Sequence, residues 1–127
     1  MLTPCEVAVK TVSPAIRALL AKNLLIQRGL KQTKVAEILG ITQSAVSKYS
    51  KNVRGTTVQI DGNPEVHAVV SQMANLLVTQ PTQQTEVMRL FCQACKIIRS
   101  NGLMCPLCWQ NQNPKLDNCD FCNSDGC

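Results

Sequence analysis

Residues 30–49 read LKQTKVAEILGITQSAVSKY, two short apolar patterns separated by a glycine. Val35, Ala36 and Leu39 fall on one face of a first helix, and Val46 and Tyr49 lie three apart on one stripe of a second. Gly40 and Ile41 make the turn between them. A tight helix-ending turn needs a positive φ, which glycine adopts without the steric cost other residues meet. Ala36 is small enough to let the second helix approach closely, and Thr42 is a good N-cap for it. Lys31 occupies the cap position of the first helix, where a Ser or Thr would be expected. The spacing predicts two crossed helices, the second running from Thr42 to about Lys51.

Upstream, Ser13-Pro14 is a helix start signal, with Ser13 as cap and Pro14 at the first helical position. That helix is expected to run to Arg28 and stop at Gly29. Ile16, Leu19, Leu20, Ala21 and Leu24 form its buried stripe, while Arg17, Lys22 and Arg28 stay wet. Before it, Met1 to Ser13 holds a short apolar patch, Val7, Ala8 and Val12, that fits either a short helix or an arm. Cys5 stands alone there and reads as a small buried residue.

Charge is distributed unevenly. The first 54 residues hold nine Lys and Arg against two Glu, a formal +7, and the remainder holds four against six, a formal −2. A basic half that coincides with the two-helix pattern is what neutralisation of nucleic-acid phosphates requires. The order Gln32, Ala36, Gly40, Ile41, Val46, Ser47 resembles the Cro/repressor class of helix-turn-helix. The run from Pro14 to Tyr49 resembles a group of archaeal predicted transcriptional regulators, some of which carry a fused thiamine-phosphate-synthase-like domain. Nothing after Arg54 looks like that enzyme domain. The resemblance implies that double-stranded DNA is the partner. With Val46 and Tyr49 inward, Gln43, Ser44, Ser47 and Lys48 point outward and are the candidates for base contacts in the major groove. Lys31, Gln32, Lys34, Lys51 and Arg54 are the candidates for backbone contacts, which position the protein without specifying sequence.

After Val53 the helical pattern breaks. Thr56, Thr57, Val58 and Ile60 favour extended structure, and Asp61-Gly62-Asn63 is a turn signal. Pro64 opens another helix, with Val66, Val69, Val70, Met73, Leu76 and Leu77 at three- and four-residue steps and His67 off that stripe. Pro81 ends it, and Thr82 to about Ser100 forms the next, with Val87, Leu90, Phe91, Ala94, Ile97 and Ile98 as its apolar residues. Asn101-Gly102 stops that helix.

Eight cysteines are many for 127 residues. Cys92/Cys95 and Cys105/Cys108 form two C-x2-C pairs that can converge four thiolates on one metal, and Lys96 and Arg99 lie near enough to offset their charge. The CPLC turn looks like a zinc knuckle, which favours zinc. The first pair lies in a helical pattern, which keeps an iron–sulfur cluster, [4Fe-4S] or [2Fe-2S], as the alternative. Cys119, Cys122 and Cys127 are candidates for a second metal or redox site, whose fourth ligand would come from Cys5, His67 or a partner chain. The N-terminus MLTPCEV lacks a charged segment followed by an apolar run, so no signal peptide is read. No apolar stretch reaches membrane-spanning length. In a reducing, cytoplasmic setting, metal ligation explains the cysteines better than disulfides do.

The expected architecture is mostly α: a helix-turn-helix DNA-binding domain at 1–54, followed by two helices and a small Cys-rich metal-binding module. A linker or short strand occupies 55–63, a helical linker or dimerisation region 64–100, and the module 92–127. The expected function is a sequence-specific transcriptional regulator acting as a homodimer, with zinc holding structure or with metal or redox sensing at the four cysteines. An RNA- or protein-interaction module without operator specificity is the alternative of another class. Enzymatic activity is not expected, because no nucleophile–base pair, no phosphate-binding glycine loop and no small-molecule site is visible.

Overall fold

The computed structural model describes residues 3–50 and 63–105. Those residues form five α-helices: α1 Pro4–Lys22, α2 Gln32–Leu39, α3 Gln43–Ser50, α4 Pro64–Thr79 and α5 Gln84–Ser100. A π-helical segment, Asn23–Gln27, continues α1.

The start of α1 departs from the sequence expectation. The helix begins ten residues before Pro14, and its N-cap is Thr3 rather than Ser13. Thr3 and Glu6 form a capping box: the Glu6 N–H donates to Thr3 Oγ1 at 3.3 Å, and the Thr3 N–H donates to Glu6 Oε2 at 2.6 Å. Pro14 therefore sits in the helix interior. There it removes one backbone donor and crowds the preceding turn, at a cost of about 3 kcal/mol. Burial outweighs that cost. Val7, Val12 and Ile16 are 1%, 0% and 0% exposed, and each buried side chain of this size contributes about 1.5–3 kcal/mol. The apolar patch at 7–12 is thus the first part of one long helix.

At its other end, Arg28 N–H donates to the Asn23 carbonyl at 3.2 Å and Leu30 N–H to the Leu24 carbonyl at 3.1 Å. Gly29, at φ 65°, turns the chain out of the helix. The Arg28 guanidinium reaches Asn75 Oδ1 on α4 at 3.4 Å.

Helix α3 packs on α1 and α2, and α1 also carries α4 and α5. The short connection after Thr79 folds α5 back along α4, and these two helices share the most extensive helix–helix contact among the described residues. Asn63 caps α4 by accepting from the Glu65 and Val66 N–H groups. One hydrophobic cluster joins residues of all five helices and ends at Met104, beyond α5. The Val66, Val69, Val70 and Met73 stripe is buried in that cluster, and Leu76 and Leu77 pack against it. The stripe thus packs against the chain's own helices. The extended reading of 53–62 lies outside the described residues.

Candidate nucleic-acid interface

Two local devices set the position of α3. Gly40 takes φ 66°, the left-handed conformation expected of it, and ends α2. Thr42 caps α3, accepting the Ala45 N–H at 3.1 Å. Between them Ile41 packs partly into the core, and its N–H donates to the Ala36 carbonyl at 3.0 Å. Lys31 precedes α2 without a side-chain capping bond, as the sequence suggested.

The inner face of α3 is Ala45, Val46 and Tyr49, all buried. Ala45 was not singled out in the sequence, because a small residue gives a weak periodicity signal. Gln43, Ser44 and Lys48 are exposed, on the side away from α1. Ser47 is half-buried, and its carbonyl accepts from Ser50 Oγ at 2.8 Å. The candidate base contacts thus divide into three open side chains and one partly covered. Of the candidate backbone contacts, Lys31 and Lys34 are exposed and Gln32 is half-buried. Lys51 and Arg54 lie outside the described residues.

Electrostatics favour an anionic partner at this face. Glu37 is the only acidic residue between Val7 and Ile60. It sits 3.9 Å from Lys34, a pair exposed to 56% and 75% and therefore only weakly bound. No carboxylate lies in the first turn of α2 or of α3. The positive ends of both helix dipoles thus have no carboxylate within their first turn.

Residues 22–60 match the helix-turn-helix family model, a span that contains both α2 and α3. This segment is a helix-turn-helix domain. Neither a curated relative nor a solved structure matches the chain. The domain match begins where α1 ends, so the helix on which α3 packs lies almost wholly outside it. No described helix is long and apolar enough to cross a membrane.

Cys92, Cys95 and Cys105 are thiols, exposed, half-buried and half-buried respectively. A turn of the kind read at Asn101-Gly102 does end α5: Gly102 takes φ 74°, and the Leu103 N–H donates to the Ile98 carbonyl at 3.2 Å. Met104 is 1% exposed and anchors the segment in the core. A Cβ at Gly102 would lie 3.8 Å from Cys105 Sγ, so that sulfur sits at the C-terminal end of α5. Among the described residues no three His, Cys, Asp or Glu side chains are gathered as a metal would need. Cys108, Cys119, Cys122 and Cys127 lie outside the described residues.

One further correction concerns a single residue. Cys5 is half-buried and disulfide-bonded, not a lone buried thiol. Of the two basic residues near the first cysteine pair, Arg99 is 8% exposed and Lys96 is exposed.

Proposed function

We propose that the protein is a DNA-binding transcriptional regulator that reads duplex sequence through α3. One observation carries this: Ala45, Val46 and Tyr49 anchor α3 while Gln43, Ser44 and Lys48 stand open at its outer face, in a helix-turn-helix whose surroundings hold one acidic residue. Gln43 can pair bidentately with adenine and Lys48 can donate to guanine or phosphate. Lys31, Gln32 and Lys34, with Lys51 and Arg54, hold the backbone and set register. A two-fold dimer reading half-sites about 34 Å apart belongs to the same proposal, because one short helix makes a small footprint. Its interface lies away from the buried Val66–Leu77 stripe. Light scattering at micromolar concentration, with and without DNA, tests it; a monomer in both overturns it.

The regulator reading is tested by selecting duplexes from a random library with the full chain and measuring affinity against salt. Selected DNA is expected to bind far more tightly than random DNA. Gln43→Ala is expected to remove about 1–3 kcal/mol at the selected site and to relax one base position. Equal affinity for both duplexes, unchanged by Gln43→Ala, overturns sequence reading and leaves an RNA- or protein-interaction module.

The C-terminal cysteines add a finer element to the proposal. Cys92, Cys95, Cys105 and Cys108 hold one metal as thiolates, zinc by the knuckle-like CPLC turn, in a structural or sensing role. What supports this is their spacing and the thiol state of the first three. Metal content and visible absorption of anaerobically purified protein separate the forms: colourless for zinc, brown and air-sensitive for an iron–sulfur cluster. Protein lacking both metals as purified, with no gain on reconstitution, overturns the four-cysteine centre.

A further inference from the structure

Helix α4 leaves open one face that carries no charge. Ala68, Ser71, Gln72, Asn75 and Thr79 share one side of the helix and are all exposed. The opposite face, Val66, Val69, Val70 and Met73, is buried, so the core fixes which way the open stripe looks. Residues 66–85 hold no Lys, Arg, Asp or Glu, the longest such run in a chain with 13 basic and 8 acidic residues. Glu65, in the first turn, is the only residue of those four types in α4. Each of the other described α-helices exposes a lysine: Lys10 on α1, Lys34 on α2, Lys48 on α3 and Lys96 on α5.

We propose that this face seats the α4 helix of a second copy of the chain across a two-fold axis; the inference rests on the dimeric regulator proposed above and names its interface. A two-fold contact sets a face against itself, and a residue near the axis meets its own counterpart. A charge there faces its like, which strongly disfavours pairing. An uncharged face escapes that repulsion, and among the described helices only α4 offers one along most of its length. The same lack of charge argues against other occupants. Nucleic acid needs cations to neutralise its phosphates, and a charged peptide finds nothing here to pair with. Ala68 and Ser71 are short, so two helix axes can approach to about 8–10 Å. Asn75 accepts from Arg28, and the π-helical segment packs on α4, so α4 is held to the helix-turn-helix segment. Helix α3 packs on α1 and α2, so the helix that pairs and the helix that reads DNA are different ones. A helix of 16 residues spans about 24 Å, and one stripe of it covers well under the roughly 800 Å² per partner of a standard interface. The pair is therefore weak in free protein and tightens on DNA, where two adjacent half-sites hold the copies together.

Two measurements on the full chain test it. Sedimentation equilibrium without DNA, over a wide range of concentrations, reads the pairing itself. Titration of duplexes bearing one or two selected half-sites reads cooperativity. Ser71→Glu sets like charges across the axis and is expected to weaken self-association by at least about tenfold and to remove cooperativity, with affinity for a single half-site close to that of wild type. Ser71→Lys alone is expected to weaken self-association likewise, and an equimolar mixture of the two variants to restore it. Gln93→Glu, an exposed change on α5, is expected to leave pairing and cooperativity as they are. Circular dichroism separates loss of pairing from loss of fold, since Ser71 is exposed and its variants should keep full helicity. Self-association that survives both Ser71 variants, or that their mixture fails to restore, overturns the face. So does a wild-type chain that stays monomeric at every concentration and fills two half-sites independently. Equal affinity for selected and random single half-sites, with the sedimentation results as expected, overturns the sequence reading and leaves the face standing.

Discussion

The Ala45 backbone N–H donates to the Thr42 hydroxyl at 3.1 Å, so α3 is capped by a side chain one residue outside it. Helix α3 is only eight residues long, too short to hold itself together without tertiary packing and a cap. Thr42→Ala is expected to destabilise the protein by about 1 kcal/mol, and Thr42→Ser to keep most of the cap's stabilisation. Denaturant midpoints at constant m-value check both.

Lys34 and Glu37 form the weak exposed pair on α2, and the pair sits on the cationic side of the domain. Lys34→Ala is expected to weaken binding to every duplex alike and to lower the salt slope by about one. Glu37→Gln is expected to do the reverse, strengthening selected and random DNA equally. Anisotropy titrations over a range of salt concentrations distinguish this from an effect on base reading.

Ile98 is fully buried where α5 faces the rest of the helical core. Ile98→Ala is expected to cost about 2–5 kcal/mol, combining lost transfer energy with the cavity left behind. Ile97→Ala, half-buried beside it, should cost less. The difference between the two unfolding midpoints is the measurement.

The Glu6 carboxylate accepts the Thr3 N–H, and that backbone bond above all, with a side-chain hydrogen bond to Thr3 after it, holds the carboxyl below the ordinary glutamate range. A depressed folded value means that this contribution is fully present above the unfolded value and is lost as pH falls through the lowered one. The N-terminal turn of α1 is therefore expected to fray on acidification, and Glu6→Gln to flatten that pH dependence. The Thr3 amide shift, followed by NMR during an acid titration, reads it directly.

The helix-turn-helix was legible because its devices are local. Gly40, Thr42 and the Val35, Ala36, Val46, Tyr49 spacing each act within a few residues, and each stands in the structure as the sequence suggested. Pro14 misled for the opposite reason. Ser-Pro is a start signal only when nothing upstream forms a better one, and burial of Val7 and Val12 with the Thr3–Glu6 box makes the longer helix win. The Val66 to Leu77 periodicity announced a buried face but not its partner, which proved to be the chain's own helices. For the cysteines, spacing predicts which thiolates can meet but not how a turn such as Gly102 aims them. The placement of Cys105 depended on Met104 docking in the core, and a single methionine after a helix end gives no periodic signal.

Helix α1 lies before the family match, α4 and α5 lie after it, and all three share one core with α3. The matched segment is therefore not a portable cassette. Grafting residues 22–60 onto another protein would transfer the surface that meets DNA and leave behind the helix that holds it at the right angle. A chimera should keep the Pro4–Lys22 helix with the motif, and shuffling of such domains in nature would be expected to break upstream of Thr3 rather than at Lys22.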